Sequence, residues 1–204
     1  MRVRLRGVPS LPNNIPIHNN MKRLISILML TLLCTAKIQA QQLAIGTDVM
    51  LDLLQTPNIG TEMVTGERTT IGLNVFGNYK PWGQDMKMIG IQPELRYWFG
   101  GRPMHKHFVG VGAIGASYDI FWKGKFYDGT AYGAGLTLGY VFNITNRLNI
   151  DAHAGFGIIG YNHKEYYQYD NYNDFTQDGA IKTNATGYYL LPTRIGVSIT
   201  YILK

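Results

Sequence analysis

Residues 41–204 contain no cysteine; the only one in the chain is Cys34. Disulfides, thiolate metal ligands and a cysteine nucleophile are thereby excluded from that span. Acidic residues are missing from residues 1–40, which hold Arg2, Arg4, Arg6, Lys22, Arg23 and Lys37. With those six set aside, the other 13 Lys and Arg meet 13 Asp and Glu. The basic balance therefore belongs to the first 40 residues, and a nucleic-acid function resting on positive charge loses its support. Beyond residue 40 no stretch approaches the about 20 apolar residues of a spanning helix. Long runs of like charge, heptads and low-complexity linkers are absent too.

The chain opens with a leader. Met21-Lys22-Arg23 supplies positive charge, and Leu24 to Leu33 is an apolar run of signal-peptide length. Ile38-Gln39-Ala40 suits cleavage before Gln41, with Ala36 as an alternative. Residues 1–20 read as an upstream extension, with translation starting at Met21; the alternative is a long charged leader that is also removed. Residues 21–40 read as the signal peptide and 41–204 as one domain. Leu33 stands where a lipoprotein signal carries a small residue, which argues against lipidation of Cys34.

Alternation is the main signal in what remains. Ile71, Leu73, Val75 and Tyr79 share one parity, as do Ile89, Ile91, Leu95, Tyr97 and Phe99. So do Tyr132, Ala134, Leu136, Leu138, Tyr140 and Phe142, and Tyr189, Leu191, Ile195, Val197, Ile199 and Tyr201. Period two means strand. Aromatics gathered at strand ends suit lipid–water interfaces better than a soluble core. The pattern predicts an all-β fold, an eight-stranded antiparallel up-and-down transmembrane β-barrel. Its strands would be Gln42–Asp52, Ile59–Thr65, Thr69–Tyr79, Met88–Phe99, His107–Ile120, Thr130–Phe142, Arg147–Asn162 and Tyr188–Leu203. Short turns at Gly66-Glu67, Gly100–Met104 and Asn143–Asn146 would be periplasmic. Longer loops at Pro81–Lys87, Phe121–Gly129 and His163–Gly187 would be extracellular. Phe99, Phe142 and Tyr201 then form a lower aromatic girdle, and Tyr79, Trp82, Tyr132 and Tyr189 an upper one. Pro93 and Pro192 interrupt strands, and β-bulges are the expected remedy.

The opposite parity faces the lumen. It carries Asp48, Glu62, Asn74, Gln92, Glu94, Arg96, Asn149, Asp151, His153 and Arg194. Eight strands enclose a space that side chains fill, so these charges are expected to pair as a plug. A narrow proton path is the functional alternative. His153, Asp151 and Ser198 could suggest a lipid-modifying hydrolase, but all three face the lumen near mid-strand, away from lipid. Asp174 to Gly179 begins like a calcium loop, yet Ala185 stands where an EF-hand needs Glu. A solvated loop is the expectation, with no metal and no cofactor. Tyr161, Tyr166, Tyr167, Tyr169 and Tyr172, set among Asn and Asp, suit a recognition surface equally with an extension of the girdle or a β-hairpin above the membrane.

Gln92-Pro93-Glu94-Leu95-Arg96-Tyr97-Trp98 resembles the signature of an uncharacterised, domain-of-unknown-function family of small outer-membrane barrels from Gram-negative gut and oral bacteria. Asp52 to Asn58, Asn78-Tyr79-Lys80-Pro81-Trp82 and Pro192-Thr193-Arg194-Ile195-Gly196 follow the same family in order. The resemblance spans nearly all of residues 41–204 and brings no catalytic residues. It implies genes near those of fimbriae or adhesins. The expectation is a non-enzymatic outer-membrane surface protein that contacts outer-membrane lipid and binds surface-fibre or adhesin proteins, not nucleic acid, through its loops. The alternatives are the lipid hydrolase and a soluble ligand-binding barrel.

Overall fold

The computed structural model describes residues 42–169, 176–177, 180–181 and 183–203. They fall in one unit, Ala40–Lys204. The expected upstream extension and signal peptide, with Cys34, the Asp174–Gly179 stretch and Tyr172 lie outside the described residues, apart from the backbone of Thr176 and Gln177.

Eight antiparallel strands form one sheet that closes on itself. They are β1 (Leu43–Asp48), β2 (Asn58–Val64), β3 (Thr69–Tyr79), β4 (Met86–Trp98), β5 (Lys106–Trp122), β6 (Lys125–Asn143), β7 (Leu148–Tyr167) and β10 (Ala185–Ile202). A two-stranded ribbon, β8 (Thr176–Gln177) with β9 (Ala180–Ile181), lies in the connection before β10. Each barrel strand pairs with its neighbours along the chain, and β10 returns to β1. Closure leaves most backbone groups partnered within the sheet.

The register fixes the stagger. Cross-strand partners run from Ala44 through Glu62, Gly72, Glu94, Gly112, Gly135 and Gly157 to Leu191. Ala44 itself pairs with Ile202, eleven residues beyond Leu191, or ten once one bulged residue is discounted. Stagger of this kind tilts the strands about 35–45° and widens the cylinder.

Side chains are distributed inside out. Outward positions such as Leu136, Leu138, Phe156 and Ile158 are each more than half exposed. The fully buried set is mainly polar, including Asn74, Glu94, Arg96, Thr137, Asn149, Asp151 and His153. A small apolar cluster of Ala44, Trp98, Met104, Phe108 and Val141 closes the lumen at the short-turn end.

Four expectations need correction. The first strand stops at Asp48 rather than Asp52. The Asp48 carboxylate accepts from the Met50 and Leu51 amides and caps a short helix, α1 (Val49–Leu53). The loop expected at Phe121–Gly129 is mostly strand, and strand runs into both ends of the one expected at His163–Gly187, as far as Tyr167 and from Ala185 onward. β5 and β6 continue to a two-residue turn, Lys123-Gly124, with positive φ at both positions, the geometry hairpins favour. Pro93 interrupts the β4–β5 ladder without shifting its register, so it needs no bulge. The register does shift between Pro192 and Arg194. That shift switches parity: Tyr188, Leu190 and Pro192 pair with outward Gly160, Ile158 and Phe156, while Tyr189 and Leu191 turn to the lumen face. Tyr188 therefore takes the upper-girdle place expected for Tyr189.

Candidate functional site

The lumen network is built from five strands. Arg96 on β4 donates from Nε to Glu94 at 2.7 Å, and from Nη1 to Asp151 at 2.8 Å and Glu62 at 3.1 Å. Its guanidinium also stands 4.3 Å from the centre of the Phe108 ring. Arg194 reaches across the barrel to Glu94 at 2.9 Å. His153 Nε2 meets Asp48 at 3.0 Å, and Arg194 Nε lies 3.1 Å from the same nitrogen. The structure thus brings Asp48, Glu62, Glu94, Arg96, Asp151, His153 and Arg194 into one connected group. Burial this deep is tolerable only because each charge has an opposite partner.

Neighbouring polar groups extend it. Thr70 donates to Glu62 at 2.5 Å and receives the Trp98 indole N–H at 2.9 Å. Gln92 donates across the lumen to the Thr193 carbonyl at 2.8 Å, which partners the bulge. Buried Ser198 makes no hydrogen bond to His153 or to any other group among the described residues. A nucleophile needs its base within hydrogen-bond reach, so the His153–Asp151–Ser198 grouping has no catalytic geometry here.

The long-strand end is different in character. β5, β6 and β7 rise above the other strands as a ribbon. On its inner face Tyr118 hydrogen-bonds His163 Nδ1 at 2.8 Å. Tyr161 stacks between His163 and Tyr189, with ring centres 5.0 and 5.5 Å away. On its outer face Phe126 stacks on Tyr166 at 5.2 Å and packs on Phe121. Lys125 is paired with Glu165 and lies 5.1 Å from the Tyr167 ring. Tyr169 projects almost fully into solvent. Of the tyrosines expected in one loop, Tyr161, Tyr166 and Tyr167 are strand residues on two faces, and Tyr172 is outside the described residues. Lys87, Asp119, Asp128 and Lys164 are successive cross-strand partners and draw a charged row around the outer face.

Sequence reasoning missed Tyr118, Tyr127 and His163 as lumen-facing residues, and α1 altogether. Pro192 was the available signal for the parity switch, but a bulge cannot be placed to the residue without its partner strand.

A family model described as "Protein of unknown function (DUF3575)" matches residues 26–203. No curated protein and no solved structure matches the chain.

Proposed function

Because this chain belongs to the DUF3575 family of proteins of unknown function, membership supplies no activity, and we propose one from the barrel itself. The protein is an outer-membrane β-barrel with a blocked lumen and a binding rim at its long-strand end. One observation carries the membrane reading: apolar side chains cover the outside while charges fill the inside. That arrangement is unfavourable in water and favourable in hydrocarbon. Tyr97, Phe99, Phe142 and Tyr201 border the apolar band on one side, and Tyr79, Tyr132 and Tyr188 on the other. Both termini then lie in the periplasm and the ribbon outside the cell.

The lumen carries no solute in this reading. Trp98 and Phe108 are buried at the short-turn end, and the ion network fills the middle. Residues 41–204 should therefore fold into phospholipid vesicles as a β-rich, heat-modifiable species that shows no steady openings in planar bilayers. Recovery of the same chain as a soluble monomer without detergent would end the membrane reading. Porin-like currents would end the blocked-lumen reading.

The rim's function is binding, since its rigid aromatics beside small polar groups suit recognition. The partner class, surface-fibre or adhesin proteins, rests on the resemblance of the sequence blocks. Changing Trp122, Tyr167 and Tyr169 together to Ser should leave vesicle folding intact and abolish adhesion or fibre display in cells. Survival of every such phenotype in the folded variant would remove the rim from consideration.

A further inference from the structure

The upper lumen, above the ion network, is largely apolar, and few long side chains among the described residues point into it. Above the ion network the lumen parity carries Ile114, Tyr118, Ile159, Tyr161, Tyr189 and Leu191. The same face carries Gly133, Gly135 and Gly157, which contribute no side chain to fill the space. Tyr189 and Leu191 remain 58% and 42% exposed although they share this face. From Gly187 to Leu191 the chamber follows about 13 Å of strand. Among the described residues its ionisable groups other than tyrosine lie at the floor, Arg194, and the rim, His163, Lys125 and Glu165.

The wall beside this chamber is incomplete. β1 ends at Asp48, opposite Ser198. β10 continues for thirteen more residues to Ala185, paired with β7 alone. On the far side of the gap β2 begins only at Asn58. Residues 49–57 cross the gap, and α1 packs against β10 without a backbone hydrogen bond to it among the described residues. A helix suits this place because its backbone bonds are internal. Pro192 suits it too, since proline is tolerated on an edge that lacks a partner. α1 is held from the β1–β2 side, by Thr47 to Asp52 at 2.6 Å and Asn58 to Asp52 at 3.0 Å. It can therefore swing away from β10 without breaking a strand ladder.

We propose that this chamber binds one acyl chain of a bilayer phospholipid. The chain enters sideways between β10 and β2, and α1 is the movable closure. The proposal rests on the membrane reading above, which places acyl chains directly outside the gap. The gap is flanked by the outward apolar residues Ile59 and Leu190, so the surface leading in is continuous with the apolar band. A wall built largely of Leu, Ile and Tyr rings offers a hydrocarbon chain dispersion contacts.

The test uses residues 41–204 folded into phospholipid vesicles, extracted in mild detergent, and weighed by native mass spectrometry. One retained phospholipid per barrel is expected. Leu191→Trp, which fills the chamber, should lower retention about tenfold. Leu138→Trp, on the outer face of β6 and away from the gap, should leave it unchanged. Equal retention in both variants, or equal loss, would assign the lipid to the outer surface and overturn the proposal. Recovery of free fatty acid in place of phospholipid would overturn sideways entry. If Leu191→Trp does not fold, the native chain decides: its Leu191 methyls should show magnetisation transfer from lipid methylenes in nanodiscs, and absence of transfer would refute the chamber. Failure to insert into vesicles at all counts instead against the membrane reading.

Discussion

Replacing Arg96 by alanine should destabilise the protein by about 3–5 kcal/mol, as for other buried pairs broken on one side. Arg96 is the one guanidinium in contact with Glu62, Glu94 and Asp151 together. Glu94 keeps Arg194 after the change, at 2.9 Å. Glu62 keeps only the Thr70 hydroxyl, and the nearest cation left to Asp151 is His153, 3.5 Å away when protonated. The loss is therefore chiefly the cost of two stranded carboxylates rather than of a missing contact. Arg96→Lys should recover little, because one ammonium cannot span three acceptors spread around a planar fork. Adding Glu62→Gln and Asp151→Asn to Arg96→Ala should recover much of the stability, since neutral amides do not require a counter-ion. Urea unfolding from vesicles measures all three. An unfolding midpoint unmoved by Arg96→Ala would mean that water fills the lumen and screens the network.

Leu136→Arg should cost about 2–4 kcal/mol, the figure for a cation on the lipid face near the bilayer midplane. Leu136 faces outward on β6 and is 60% exposed, between Tyr132 toward the long-strand end and Tyr140 toward the short turns. Nothing in the protein packs tightly enough around it to explain such a loss. The same exposed position in a water-soluble barrel would change by no more than about 0.5 kcal/mol. The substitution separates the two environments by sign of outcome as well as by size: in water Arg would improve solubility, in lipid it lowers the folded yield. A variant as stable as the parent would reject the membrane reading even if the protein were found in a membrane fraction.

Much of the barrel was legible because period two survives any error in the strand ends. Leu136, Leu138 and Tyr132 announced one face and Glu94, Arg96 and Asp151 the other, and the sheet keeps both parities. Closure followed from strand number and from the cost of open edges. Strand ends were not legible, since nothing local distinguishes a loop rich in Phe, Tyr and Lys from a hairpin that rises above the girdle. Phe121 to Gly129 falls between two strand candidates, whereas Lys123-Gly124 alone makes the turn.

What the sequence determined by itself was the alternation, and with it the strand faces, the small apolar share of the interior and the charged residues that fill it. Those properties depend on neighbours two residues apart, and they hold wherever a strand runs without a bulge. The tertiary structure decided the rest. Arg96 finds Asp151, Arg194 finds Glu94 and His153 finds Asp48 only because a ten-residue stagger brings distant strands to one level. The shift after Pro192 turns Tyr189 and Leu191 inward only because β7 holds its register against β10. The gap beside β10 exists only because Asp48 caps a helix where a strand could have continued. Each of these is a matter of which strand lies beside which and at what offset. Pairing across a closed sheet is set by the whole ring at once, so no single segment carries it.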